Sequence, residues 1–247
     1  QVVVIVHRHA DLDSVGAAVG LATTLEAHVD IATPSSVAGS ADRLLDGQSV
    51  VSDPDLGAYD LQIVVDAPSR QRIAPIDPTA TDTPLIVIDH HEPDDLQANA
   101  TYHRVDTAAP ATAVLVAQLL RAHDIDIPPA GAQALAAGIL DDTEFHAVVM
   151  PDVQPLLCEL LDTATATNTD LSSFWERETP WSEQVATAKA VVRANGYKAG
   201  RRLLLVTRVG GHESAAADML LDGAADIGVV LSERDDHIRV VASTTDQ

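Results

Sequence analysis

Four short, mostly apolar runs punctuate the first ninety positions, and three of them stop on acids or histidines. Residues 2–6 run into His7-Arg8-His9-Ala10-Asp11-Leu12-Asp13-Ser14. Residues 29–32 make a second run, 61–65 a third that stops on Asp66, and 85–88 a fourth that stops on Asp89-His90-His91. Continuous runs of this length, rich in β-branched residues, predict strands buried on both faces of a parallel sheet. Between and after them the spacing turns helical. A small-residue helix opens near Val15 with Asp13 or Ser14 as its N-cap, and another is expected around 38–45. A third starts with Pro110 in its first turn and reaches about His123; a fourth covers 130–140 behind Pro129 and ends on Asp141-Asp142-Thr143. Alternation of this kind predicts an α/β fold, a parallel β-sheet flanked by helices.

Residues 152–195 read as helices with polar breaks, with a connecting helix around 185–192 that Asn195-Gly196 ends. A smaller, incomplete α/β unit follows, with strands at 203–207, 227–231 and 238–242 and a helix at 214–221. The expected organisation is a catalytic domain over 1–165, a helical linker over 166–199 and the start of a C-terminal domain over 200–247. The chain opens at Gln1 inside a strand-like run, as expected of a piece of a longer protein.

Composition changes the picture in three ways. Net charge is −22, carried by 28 Asp and 9 Glu against 13 Arg and only two lysines, Lys189 and Lys198. At 46% hydrophobic the chain is too apolar for an acidic disordered segment. Aspartate excess with lysine depletion is expected of a halophile's cytoplasm, where a Debye length of about 3 Å at molar salt screens self-repulsion. The charge also argues against duplex DNA as a partner, because that needs a basic face. The single cysteine, Cys158, excludes a disulfide framework and a thiolate metal site. No apolar run approaches the ~20 residues of a membrane-spanning helix, and a cytoplasmic location is expected.

In open parallel sheets, ligands bind beyond the carboxyl ends of the strands. His7, Asp11, Asp13, Asp66, Asp89, His90 and His91 are expected there, joined by Asp141 or Asp142 from a helix end. Each alone has a structural explanation: a strand-end acid capping a turn, or an imidazole bonded to a carbonyl. Together they offer carboxylate and imidazole without sulfur. That donor set suits Mn²⁺, Mg²⁺, Fe²⁺ or Zn²⁺, with Mn²⁺ favoured by the oxygens. The ligands are too many for one ion and fit two.

The pattern His7-x3-Asp11-x-Asp13-Ser14, then Asp66, then Asp89-His90-His91, then Asp142-Thr143 resembles the four motifs of the DHH phosphoesterase superfamily, over most of residues 1–195. That superfamily includes RecJ exonucleases, nanoRNase/pAp phosphatases, cyclic di-AMP phosphodiesterases and family II pyrophosphatases. The resemblance implies a hydrolase that cleaves phosphodiester or phosphomonoester bonds of short nucleotides through a hydroxide bridging two Mn²⁺ ions (Mg²⁺ or another divalent ion serving instead). His7 and Asp11 would hold one ion, Asp13, His90 and Asp142 the other, and Asp66 would bridge them. Asp89 would orient an imidazole, and His91 would contact the substrate phosphate. Arg8 and His9 are candidates for substrate binding, His9 standing where relatives often carry Asn. The small second domain favours the nanoRNase and cyclic di-AMP branch, with a small nucleotide or short single-stranded oligonucleotide as substrate. A homodimer is compatible with it.

Two departures stand out. The fourth motif usually reads Thr-Asp-Thr-Gly-x-Phe, whereas here Asp141-Asp142-Thr143-Glu144-Phe145 is shorter and lacks the glycine, so Asp141 competes with Asp142. The family's substrate-gripping Gly-Gly-Gly-His loop is expected beyond Gln247, and Gly210-Gly211-His212 reads as a turn into a helix. Asp11-Leu12-Asp13 also fits a haloacid-dehalogenase nucleophile, but that fold wants the first acid directly after the strand, and four residues intervene. The alternatives to the favoured reading are a nucleotide-sensing module without turnover and a RecJ-like single-strand exonuclease.

Overall fold

The computed structural model describes residues 1–37, 39–167, 171–175, 179–223, 225–234 and 237–244. Ala38, the first residue of the helix expected over 38–45, lies outside them. The chain divides into two compact units, Gln1–Glu176 and Arg177–Gln247.

The first unit alternates strands and helices: β1 (Val2–Ile5), α1 (Leu12–Thr24), β2 (Val29–Ala32), α2 (Gly39–Asp42), β3 (Ser49–Val51), β4 (Leu61–Val65), α3 (Arg70–Ile73), β5 (Leu85–Asp89), α4 (Asp95–Asn99), β6 (Tyr102–Val105), α5 (Thr112–Ala122), α6 (Pro129–Asp142) and α7 (Gln154–Ala164). The six strands form one parallel sheet in the order β3-β2-β1-β4-β5-β6. The order reverses between β1 and β4, so the chain leaves their carboxyl ends in opposite directions and opens a crevice there. Strand residues alternate between two cores. Val2, Val4, Val6, Ile63, Val65 and Ile88 pack toward α1, α5 and α6. Val3, Ile5, Val64, Leu85 and Val87 pack on the other face with Ile73 and Leu96.

The sequence patterns miss the two edge strands, β3 and β6. Neither holds a fully buried residue, so neither carries the buried apolar run that marks the inner four. The third predicted helix also starts later: α5 begins at Thr112, with Pro110 outside it.

α1 and α6 lie in close backbone contact. A Cβ on Gly16 would sit 2.4 Å from the Ala134 carbonyl oxygen, and one on Gly138 3.0 Å from the Asp13 Cα. Backbone cannot give way as a side chain tip can. Gly16→Ala is therefore expected to force the helices apart and cost about 1–3 kcal/mol, read as a lower urea midpoint with an unchanged slope.

The second unit contains α8 (Trp181–Arg193), β7 (Asn195–Ala199), β8 (Arg202–Arg208), α9 (Glu213–Gly223), β9 (Ile227–Glu233) and β10 (Ile238–Thr244). Its sheet runs β10-β9-β8-β7, with only β8 and β9 parallel. Asn195 and Gly196, expected to end a helix, instead open β7, and the helix ends at Arg193 with Ala194 as its C-cap. The residues expected to form a linker include α8, whose Ala190 packs with Val209, Ala216, Leu220 and Val230 in the core of this sheet.

Candidate metal centre

The crevice at the β1/β4 reversal collects the predicted polar residues. His7 follows β1 and is buried. Its Nδ1 lies 2.8 Å from the Arg8 carbonyl, which can only accept, so Nδ1 carries a proton. Nε2 then faces Asp66 at 3.3 Å and Asp11 at 3.6 Å, with no well-formed hydrogen bond. His90 repeats the arrangement: Nδ1 contacts the Ala109 carbonyl at 3.3 Å, and Nε2 faces Asp142 at 3.5 Å and Asp66 at 3.6 Å. An imidazole whose Nδ1–H is held by a carbonyl presents its Nε2 lone pair as a ligand.

Asp11, rather than Asp13 or Ser14, caps α1, its Oδ1 accepting from the Ser14 N–H at 3.1 Å. That frees Asp13, in the first turn and 2% exposed, for a different task. Its two oxygens accept the N–H groups of Thr112 (2.7 Å) and Ala113 (2.9 Å), at the start of α5. Thr112 also donates its hydroxyl to Asp66 Oδ1 at 2.9 Å. One residue thus fixes two carboxylates of the cluster. Asp66 directly follows β4 in the left-handed region, φ 59°, which an Asp tolerates better than most residues and which turns its carboxylate into the crevice.

Asp89 Oδ1 lies 2.8 Å from His91 Nδ1 and accepts the His91 backbone N–H at 3.1 Å, so it orients this ring. Asp141 and Asp142 fall in the last turn of α6 and diverge. Asp141 accepts from Trp175 Nε1 at 2.8 Å, whereas Asp142 joins Asp13 and His90. Where the family motif has glycine, Glu144 and then Phe145 adopt φ 48° and 65°.

Three overlapping triads result: His7-Asp11-Asp66, Asp66-His90-His91 and Asp13-His90-Asp142, with ligand atoms within 4.8 Å of one another in each. Burial works against the His7 imidazolium, but Asp11 and Asp66 outweigh it and raise its pKa to about 10. Asp13 is pushed well up, first by burial and then by the Asp66 charge, against the opposing N–H groups of α5. Burial, with Asp66 and Asp11, likewise raises Asp142. His91 is raised mainly by its bond to Asp89, while burial and the Arg72 charge oppose it. Carboxylates crowded this closely raise one another's pKa and hold a proton on His7, and a divalent cation would take over that role, displacing the His7 proton. The donors, all oxygen and nitrogen, fit such an ion.

Other candidates settle differently. Arg8 and His9 are exposed beside the cluster, with His9 Nδ1 3.3 Å from the Ser36 hydroxyl. Trp181 is 77% exposed, and Trp175 packs on Phe145 within the first unit. His212 precedes α9 at φ 56°, in a turn.

Residues 1–139, more than half the chain, match the DHH family, N-terminal domain, and the chain belongs to that family. An uncharacterized protein of Methanocaldococcus jannaschii is 24% identical over 160 residues, 64% of this chain and 48% of that protein. The chain therefore spans about half the length of this curated relative. An exopolyphosphatase-related protein from Bacteroides fragilis has a similar structure, with TM-score 0.80 and 17% identity over the whole of this chain and 79% of that one. A candidate family II inorganic pyrophosphatase of Methanococcus jannaschii gives TM-score 0.56 and 16% identity, over 98% and 87% of the two chains. These likenesses show the fold: a parallel sheet flanked by helices and followed by a second small sheet domain. No helix among the described residues is long and apolar enough to cross a membrane.

Proposed function

We propose that the protein is a divalent-metal phosphoesterase acting on short nucleotides, with Mn²⁺ as the preferred ion. The observation that carries this reading is the sharing of Asp66 and His90 among the three triads, which suits two neighbouring ions better than one. His7 and Asp11 would hold one ion, Asp13, His90 and Asp142 the other, and Asp66 both. When bound, such a pair activates water for attack on phosphorus and offsets the charge that develops there.

The chain's own residues do the rest. The carbonyls of Arg8 and Ala109 keep the Nε2 atoms of His7 and His90 directed at the carboxylates. Asp89 fixes His91 and favours its charged form, which can donate to a non-bridging phosphoryl oxygen. Membership of the DHH family and the fold shared with a candidate pyrophosphatase and an exopolyphosphatase-related protein support attack at phosphorus. The acidic, lysine-poor composition supports a halophilic cytoplasmic setting, so molar KCl is the appropriate medium.

The test incubates the chain with Mn²⁺, then with chelator, against pApA, cyclic di-AMP, pAp and pyrophosphate, with products separated by chromatography. Metal-dependent release of mononucleotide is expected from at least one nucleotide and none with chelator. Binding of a nucleotide with no turnover of any would replace the reading with the sensing module.

A further inference from the structure

The first unit contains no lysine and six arginines, and most of these are engaged. Arg70 pairs with Asp95 at 2.7 Å, Arg104 with Asp106 at 3.3 Å and Arg121 with Glu159 at 3.2 Å, while Arg43 donates to the Ser173 carbonyl. Arg8 and Arg72 form no ion pair among the described residues, in a chain with 37 acids. Both are exposed, and both line the same cavity of about 440 Å³, together with His9, Ser69 and Gln71. The Arg8 N–H donates to the Arg72 carbonyl at 2.8 Å, which ties the two segments together.

This cavity adjoins the cluster without including any of its residues. Arg8 directly follows His7, and the charge of Arg72 reaches His91. No carboxylate lines it. A net charge of −22 disfavours any anion, so one can be held only where cations are locally unopposed. Guanidinium is suited to phosphate, which it grips through paired N–H groups at contact range, where molar salt screens least.

We infer that Arg8 and Arg72 form an anion subsite for a second phosphate of the substrate, one linkage from the phosphorus attacked at the carboxylate cluster. The inference rests on the phosphoesterase reading and narrows it to nucleotides with a further phosphate group, such as 5′-phosphorylated dinucleotides. The role of both arginines is specificity: they recognise the non-reacting end.

The test compares kcat/KM of the full chain with Mn²⁺ for pApA and for ApA, which share the diester and differ in the terminal phosphate. A preference for pApA of about tenfold to a hundredfold is expected, on the scale of one or two charge-assisted contacts. In Arg8→Gln/Arg72→Gln that ratio should fall at least about tenfold, and Arg8→Lys/Arg72→Lys should restore part of it. Equal losses on both dinucleotides, or an unchanged ratio, would overturn the subsite. Should the parent chain cleave neither, calorimetric binding of pApA and ApA decides the subsite alone, while cyclic di-AMP and pAp still test the phosphoesterase reading separately. Tighter binding of pApA, lost in the Gln double variant, would support it; no binding, or equal binding by both proteins, would overturn it.

Discussion

Asp66→Asn should fold normally, lose turnover by at least about a thousandfold and lose most of the Mn²⁺-induced rise in melting temperature. Asp66 lies within 3.6 Å of His7, His90 and His91 and accepts the Thr112 hydroxyl, so no other carboxylate meets as many members of the cluster. Losing its charge removes several kcal/mol of stabilisation around the phosphoryl group, and about 4 kcal/mol corresponds to a thousandfold. Asparagine is the informative substitution because the backbone sits at φ 59°. Asn tolerates the left-handed region at least as well as Asp, whereas Ala would add backbone strain and confuse stability with function. An Asn variant with unchanged turnover would remove Asp66, and with it the shared-ligand arrangement, from the reaction.

Much of this site was legible in the sequence because burial and chemistry coincide there. The inner strands β1, β2, β4 and β5 are buried runs, and three of them deliver the acids and imidazoles at their carboxyl ends. Their alternation with helices implied a parallel sheet and therefore a crevice at one end. What pattern could not reach was structure that depends on distant partners. β3 and β6 exist only as additions to a sheet already formed, and their half-exposed residues carry no periodic signal. Asn195-Gly196 is a sound helix stop by local preference, yet pairing with Leu205 and Val206 draws both residues into a strand. Thr112 belongs to no catalytic motif. Its two contacts with the cluster span 46 and 99 residues, and local sequence is silent at that range.

The same long-range contacts divide the carboxylates into two kinds, and Asp13→Ala against Asp142→Ala separates them without any substrate. Asp13 serves as an acceptor for the buried N–H groups that open α5. Its removal relieves repulsion with Asp66 and Asp142 but leaves two buried donors unsatisfied, at about 1–3 kcal/mol each. The donors win, because Asp13 is the acceptor of both N–H groups and no other bond to either is present among the described residues. Asp13→Ala is thus expected to cost about 2–5 kcal/mol of folding stability in chelator, before any metal is considered. Asp142 accepts no backbone hydrogen bond among the described residues, and burial with the charges of Asp66 and Asp11 disfavours its ionised form. Removing it should leave the metal-free protein slightly more stable while abolishing most of its response to Mn²⁺. Urea unfolding of both variants, with Mn²⁺ and with chelator, reads the two effects apart. If both variants lost stability equally in chelator, Asp13 would be no more than another acid in the cluster, and its role in holding α5 against the crevice would have to be abandoned.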